Sequence, residues 1–144
     1  MKKDWYNYII IAGCSRFGAN IASILSSQGK NVVVIDKDIT SFRKLSSDYS
    51  GFKINGDASD IDVLLEAKIK KADIVVAATN DDNTNIMISQ ISSEMFNVPK
   101  VVSRLYDTEK EIVYRDFDIK MIRPAKLSMD EFERVLLNDV MEVL

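Results

Sequence analysis

The chain has 144 residues, 47% hydrophobic and 28% charged, which is the size and balance of one globular domain without a disordered or low-complexity tract. Its formal net charge of −3 comes from interspersed acids and bases, which argues against the positive face that would hold nucleic acid. The single cysteine, Cys14, excludes an internal disulfide or cysteine-cluster metal site, and the absence of histidine removes the commonest general acid–base and metal ligand, so triad hydrolases and zinc enzymes fall away.

Short apolar runs alternate with segments of helical period, the pattern of a parallel sheet covered on both faces. The first predicted strand, Tyr8 to Ala12, is too short for a secretory h-region, and no apolar run is long enough to cross a bilayer. The expected location is therefore the cytoplasm. Gly13 to Gly18 opens a helix with Phe17, Ile21, Ile24 and Leu25 on one face, ended by Gly29. A second strand, Asn31 to Ile35, precedes a helix marked by Ile39, Phe42, Leu45 and Tyr49. The third strand, Phe52 to Asn55, leads to a short helix carrying Ile61, Leu64 and Leu65.

A fourth strand, Ile74 to Ala78, is followed by a helix with Ile86, Ile91 and Met95, and Pro99 closes the loop. The fifth strand, Lys100 to Leu105, precedes a helix with Ile112, Val113 and Phe117, and the sixth runs from Lys120 to Ile122. Ser128 and Glu131 match a capping box, which predicts the last helix to begin there. Its stripe of Phe132, Val135, Leu136, Val140 and Val143 either packs on its own sheet or binds another subunit. The expected fold is α/β, a Rossmann-type doubly wound parallel six-stranded sheet. Residues 1–127 form the nucleotide-binding domain and residues 128–144 an amphipathic helix.

The chemistry concentrates in Gly13-Cys14-Ser15-Arg16-Phe17-Gly18, where backbone N–H groups and the positive end of a helix meet a phosphate. Gly13 permits the tight turn and Gly18 close packing of helix on strand, while Ser15 stands where a glycine usually lets a pyrophosphate approach. Asp36, at the end of the second strand beside Lys37, has the separation from this turn at which a carboxylate meets adenosine ribose hydroxyls. The bland alternative for Asp36 is a solvated residue that starts the next helix. An acid there also repels a 2′-phosphate and so disfavours NADP.

Gly56-Asp57-Ala58-Ser59 either contacts the adenine edge or serves as a turn and helix cap. Thr79-Asn80-Asp81-Asp82-Asn83 lies over the expected crevice or is only a capped loop. Arg16 and Arg104 are the expected phosphate partners, because a guanidinium matches phosphate geometry. Cys14 is expected to be a small buried loop residue, since only the helix N-terminus and Arg16 would activate it as a nucleophile.

Together, the segments 9–18, 33–36, 56–59 and 72–82 resemble the N-terminal nucleotide-binding domain of the TrkA/KtrA family, the RCK-type regulators of potassium transport. The resemblance implies a cytoplasmic subunit assembled into rings under a membrane potassium channel or transporter, with AMP, ADP, ATP or NAD(H) changing ring shape. It places phosphates at Arg16 and Arg104, ribose at Asp36, adenine near Asp57 and Ala58, and a pocket wall at Thr79 and Asn80. Ser15 departs from the family's middle glycine and favours a smaller adenine nucleotide over NAD. Ala125 stands where some members carry a glutamate, so coordination by that residue is not expected. The C-terminal regulatory domain common in this family is not expected in this sequence, and whether a separate partner chain supplies it is left open.

Two other functions compete with this one. A small NAD-dependent oxidoreductase would use a Tyr-x-x-x-Lys pair, and Tyr49/Lys53 and Tyr106/Lys110 have that spacing, although Gly51 and the cap-like Asp107-Thr108 interrupt them. A stand-alone nucleotide or redox sensor is the other, with no DNA-binding element visible. No catalytic or metal-ligating residue is assigned.

Overall fold

The computed structural model describes residues 6–143, with side chains through residue 138. Six parallel strands lie in the order β3-β2-β1-β4-β5-β6. They are β1 (Tyr8–Ala12), β2 (Asn31–Asp36), β3 (Phe52–Asn55), β4 (Ile74–Ala77), β5 (Lys100–Arg104) and β6 (Lys120–Ile122). The four-residue run Val32 to Ile35 in β2 and Ile9 to Ala12 in β1 are buried throughout, as strands covered on both faces must be. One core cluster centres on Ile10, Val33, Leu64, Ile88 and Leu105, and the other on Ile9, Ile11, Ala19, Ala22 and Val34. This is the doubly wound Rossmann sheet that the strand pattern predicts, and its order reverses between β1 and β4.

The helices depart from the sequence reading in informative ways. Helix α1 (Arg16–Ser27) buries Gly18, Ala19, Ala22 and Ser26, whereas Phe17 and Ile24 face outward. Small residues let this helix lie close on β1, which the apolar spacing did not reveal. The segment after β2 is a 3-10 turn, Ile39–Lys44, capped by Asp38 and ended when Leu45 becomes extended. Its Thr and Ser residues compete locally for backbone hydrogen bonds, which favours a tight turn over an α-helix. Phe42, Leu45 and Tyr49 still pack on the core, but Ile39 is exposed.

Helix α2 spans only Ile61–Glu66. Helix α3 (Asp82–Gln90) widens into a π turn over Ile91–Met95, which keeps Ile91 inside and carries Met95 outward. The segment after β5 is again a 3-10 turn, Thr108–Tyr114. Its buried residue is Tyr114, whose hydroxyl meets Ser103 Oγ at 2.8 Å, while Ile112 and Val113 are exposed.

Helix α4 spans Pro124–Val143 and so begins four residues before the predicted capping box. Proline suits a first helical position because its missing N–H has no partner there anyway. Ser128 therefore lies inside the helix, and Glu131 pairs forward with Arg134 instead of reaching back. Phe132, Val135 and Leu136 are exposed, so among the described residues the stripe does not pack on its own sheet. The side chains of Val140 and Val143 lie outside the described residues.

Candidate functional site

The reversal of strand order leaves a crevice beyond the carboxyl ends of the strands, and here it forms a cleft of about 490 Å³. The turn after β1 contributes Gly13, Cys14 and Ser15, and the end of β2 contributes Asp36 and Lys37. Asp57 and Ala58 follow β3, and Thr79 and Asn80 follow β4. Gly13 has φ +108° and lies so close to the Ala78–Thr79 peptide that a side chain would sit 2.7 Å from it. Gly18 does not line this cleft. It lies directly beneath the Gly13 carbonyl, which a Cβ would strike.

Asp36 clamps this turn. Its Oδ2 accepts the Cys14 N–H at 2.8 Å and its Oδ1 accepts the Asp38 N–H at 2.8 Å. A carboxylate oxygen has two lone-pair directions, so each oxygen keeps one for a ligand. The group is half-buried, and its bond to the Asp38 N–H also serves the turn into the next element, as the alternative reading of Asp36 has it.

Cys14 lines the cleft with its backbone only, since its side chain is fully buried and Sγ donates to the Ser41 carbonyl at 3.3 Å. Burial first, and the Asp36 carboxylate second, push its thiol pKa up. Thiolate is the reactive form, so iodoacetamide at pH 8 should label native Cys14 at least about tenfold more slowly than the unfolded chain. Equal labelling rates would refute this burial.

Ser15 is the N-cap of α1. Its hydroxyl donates to the Ala78 carbonyl at 2.9 Å and accepts from the Gly18 N–H at 3.2 Å. With its proton committed, the hydroxyl adds bulk beside the phosphate turn without offering a donor. Ser15→Gly should therefore cost about 1 kcal/mol of stability through the lost bonds, while raising NAD affinity relative to AMP. Paired calorimetric titrations check this, and equal changes for both ligands would show that the side chain does not crowd the phosphate.

Asp57 Oδ1 accepts from the Ser59 N–H at 2.9 Å and from its hydroxyl at 2.7 Å, and these bonds hold its carboxyl below the usual range. Lys37 Nζ stands 3.8 Å from its other oxygen. The residue thus serves the turn, as the bland reading had it, while still facing the cleft. Thr79 donates both its N–H and its hydroxyl to Asn85 Oδ1, at 3.0 and 2.7 Å. Asn85 is fully buried, and its Nδ2 donates to the carbonyls of Thr79 and Arg104, tying the ends of β4 and β5 together.

A second depression of about 290 Å³ lies against the N-terminus of α1, lined by Ser15, Arg16, Phe17, Lys44, Asn80 and Arg104. The Arg104 guanidinium lies 4.4 Å from the Tyr106 ring centre and 5.7 Å from that of Phe17, and its Nε is buried without a hydrogen-bond partner. Lys44 borders both cavities and donates from Nζ to the Cys14 carbonyl at 3.2 Å. Sequence reasoning missed Lys44 and Asn85. For Lys44 the only signal was a basic pair at the end of the segment after Asp36, and its 3-10 winding brings that pair back to the turn.

The sequence profile of the TrkA-N domain matches residues 9–123. The Trk system potassium uptake protein TrkA of Streptomyces coelicolor is 38% identical over 130 residues, covering 90% of this chain and 58% of that protein. The chain thus spans less than two thirds of that relative's length. The GsuK RCK domain superposes with a TM-score of 0.76 at 23% identity, over 92% of this chain and 28% of that one. GsuK has also been solved bound to NAD and to ADP. The Kef C-terminal domain of Shewanella denitrificans, solved in an AMP-bound form, superposes with a TM-score of 0.70 at 23% identity, over 95% of this chain and 82% of that one. At such identities the structural likenesses speak for the fold alone. The profile match, by contrast, takes in the glycine turn, Asp36, Asp57 and the Thr79 loop in a single span, and the chain belongs to the TrkA-N domain family.

Proposed function

We propose that this chain is an adenine-nucleotide-sensing regulatory unit of a Trk/Ktr-type potassium uptake system. The observation that carries the proposal is the Asp36 clamp, a carboxylate fixed by two backbone N–H groups beside the glycine turn. In this proposal both ribose hydroxyls donate to Asp36, and the adenine lies against Asp57 and Ala58 with Thr79 and Asn80 as the opposite wall. The first phosphate meets the N-terminus of α1 and Arg16, and further phosphates reach Lys44 and Arg104. The unpartnered Nε of Arg104 supports a ligand there, because buried donors are normally satisfied. AMP, ADP and ATP fit better than NAD past Ser15, and the Asp36 charge disfavours NADP. Adenine nucleotides in the Kef and GsuK structures are in keeping with this assignment.

A regulatory role without turnover fits the way the polar groups are used. Asp36, Asp57 and Asp81 accept backbone hydrogen bonds within their own turns, Asp36 also one from the glycine turn, and Cys14 faces the core. The oxidoreductase alternative loses both Tyr–Lys pairs. The Tyr49 hydroxyl lies between the backbone carbonyls of Phe52 and Val32, at 2.7 and 3.1 Å, which share its one proton, and Lys53 lies in β3. Tyr106 stacks under Arg104 while Lys110 turns to Asn83. The proposed partners are a membrane potassium channel or transporter subunit and further RCK-type chains, identical or not, in a ring at the cytoplasmic face. No helix among the described residues is long and apolar enough to cross a membrane.

Native mass spectrometry of the purified protein, followed by calorimetry with AMP, ADP, ATP, NAD and NADP, tests the proposal. A retained adenine nucleotide, or micromolar binding of one, is expected. Absence of binding to all five at millimolar concentration would overturn it.

A further inference from the structure

A third cavity, of about 460 Å³, lies at the opposite pole of the sheet, where β1, β2 and β3 begin. Its walls include Tyr8, Val33, Phe52 and Ile54. Phe52 pairs in register with Val33, and Ile54 with Ile35. Side chains alternate along a strand, so Phe52 and Ile54 share the face of Val33, and Lys53 points its side chain to the other face. Helix α2, only six residues long, ends at Glu66, and among the described residues this corner is uncovered, with Phe52 74% exposed.

Lys68 and Lys71 border the cavity, with Glu66 the one acid beside them. Neither lysine has an ion-pair partner among the described residues. Lys71 Nζ stands 4.6 Å from the centre of the Tyr8 ring, and that ring is fixed by a 2.8 Å hydrogen bond from its hydroxyl to the Ala67 carbonyl. Lys68 adopts a left-handed conformation, φ 61° and ψ 46°, just after the end of α2. Glycine or asparagine normally takes that position, and Lys68 makes no capping hydrogen bond in return. A strained lysine and a ring-held lysine thus flank an open apolar wall.

We propose that this cavity is a second ligand site, which takes a small organic carboxylate bearing an aromatic or branched apolar group. The hydrocarbon covers Tyr8, Val33, Phe52 and Ile54, and the carboxylate lies between the Lys68 and Lys71 ammonium groups. The volume falls in the range of small-molecule sites, and an apolar wall with a few charged groups is their usual composition. A bare inorganic anion would leave the wall wet, and a neutral hydrocarbon would leave both cations unpaired. No residue of this site lines the nucleotide cleft, so the inference stands apart from the nucleotide assignment.

The probe is 8-anilinonaphthalene-1-sulfonate, titrated by fluorescence into the full chain with and without saturating AMP. One saturable site is expected, unaffected by AMP, displaced by indole-3-acetate and not by inorganic phosphate. Lys68→Glu with Lys71→Glu should weaken the probe at least tenfold without lowering the melting temperature. In the unmodified protein, backbone amide resonances of Tyr8, Val33, Ile54 and Ala67 should shift while those of Gly13 and Asp57 stay. No saturable binding, competition by AMP or by phosphate alone, unchanged affinity in the charge-reversed variant, or shifts confined to the nucleotide cleft would each overturn the proposal.

Discussion

Asp36→Ala is expected to lower AMP affinity roughly tenfold to 150-fold and to erase the preference for NAD over NADP, the change corresponding to about 1.5–3 kcal/mol for hydrogen bonds to a charged acceptor. Two losses act together. The ribose hydroxyls lose their acceptor, and the Cys14 and Asp38 N–H groups lose the carboxylate that holds the turn in place. The second loss also reaches stability, because a half-buried donor left without a partner costs on the order of 1–3 kcal/mol. Asp36→Asn separates the two. An amide keeps one acceptor oxygen but must aim its NH₂ at one of the two backbone donors, so it should disturb the turn less than alanine while still losing the charge that repels a 2′-phosphate. Calorimetry with AMP, NAD and NADP on the three proteins decides the assignment. Equal affinity for NAD and NADP in the unmodified protein would sink it.

The strands were legible because burial on both faces demands unbroken Val, Ile and Ala runs, and such runs at residues 9–12, 32–35 and 74–77 have no other stable use. The connections were less so. Phe42, Leu45 and Tyr49 have helical spacing, yet three apolar positions also fit a 3-10 turn followed by extended chain, and Asp38 capping Thr40 decides between them. Asp36 was legible because its role depends on one strand and one turn, both local. Lys44 was not, since its value depends on how tightly six residues wind after β2. Asn85 lay further out of reach: it joins the ends of β4 and β5, and only the strand order makes those ends neighbours. For Ser15 the position and its crowding of the phosphate turn were legible, but the bond of its hydroxyl to the Ala78 carbonyl required the fold.

Phe132→Asp combined with Leu136→Asp is expected to turn an assembled protein into a monomer that still binds AMP, its affinity lowered only by the factor that couples nucleotide to assembly. Helix α4 is 20 residues long, which is about 30 Å, and its described apolar side chains Leu127, Phe132, Val135, Leu136 and Leu137 are exposed. In the proposed assembly these exposed side chains make the contact with another protein, because a monomer would leave them in water. None of these residues lines the nucleotide cleft, so the two charges should act on assembly alone. The coupling carries the stronger test. If nucleotide stabilises one arrangement of subunits, assembly must in turn strengthen nucleotide binding by the same factor, and the double variant must lose every ligand-dependent change in light scattering while still binding ligand. An unmodified protein that stays monomeric at high concentration, with and without AMP and with a co-expressed channel partner, would remove the ring from the proposal and leave α4 without the role assigned to it.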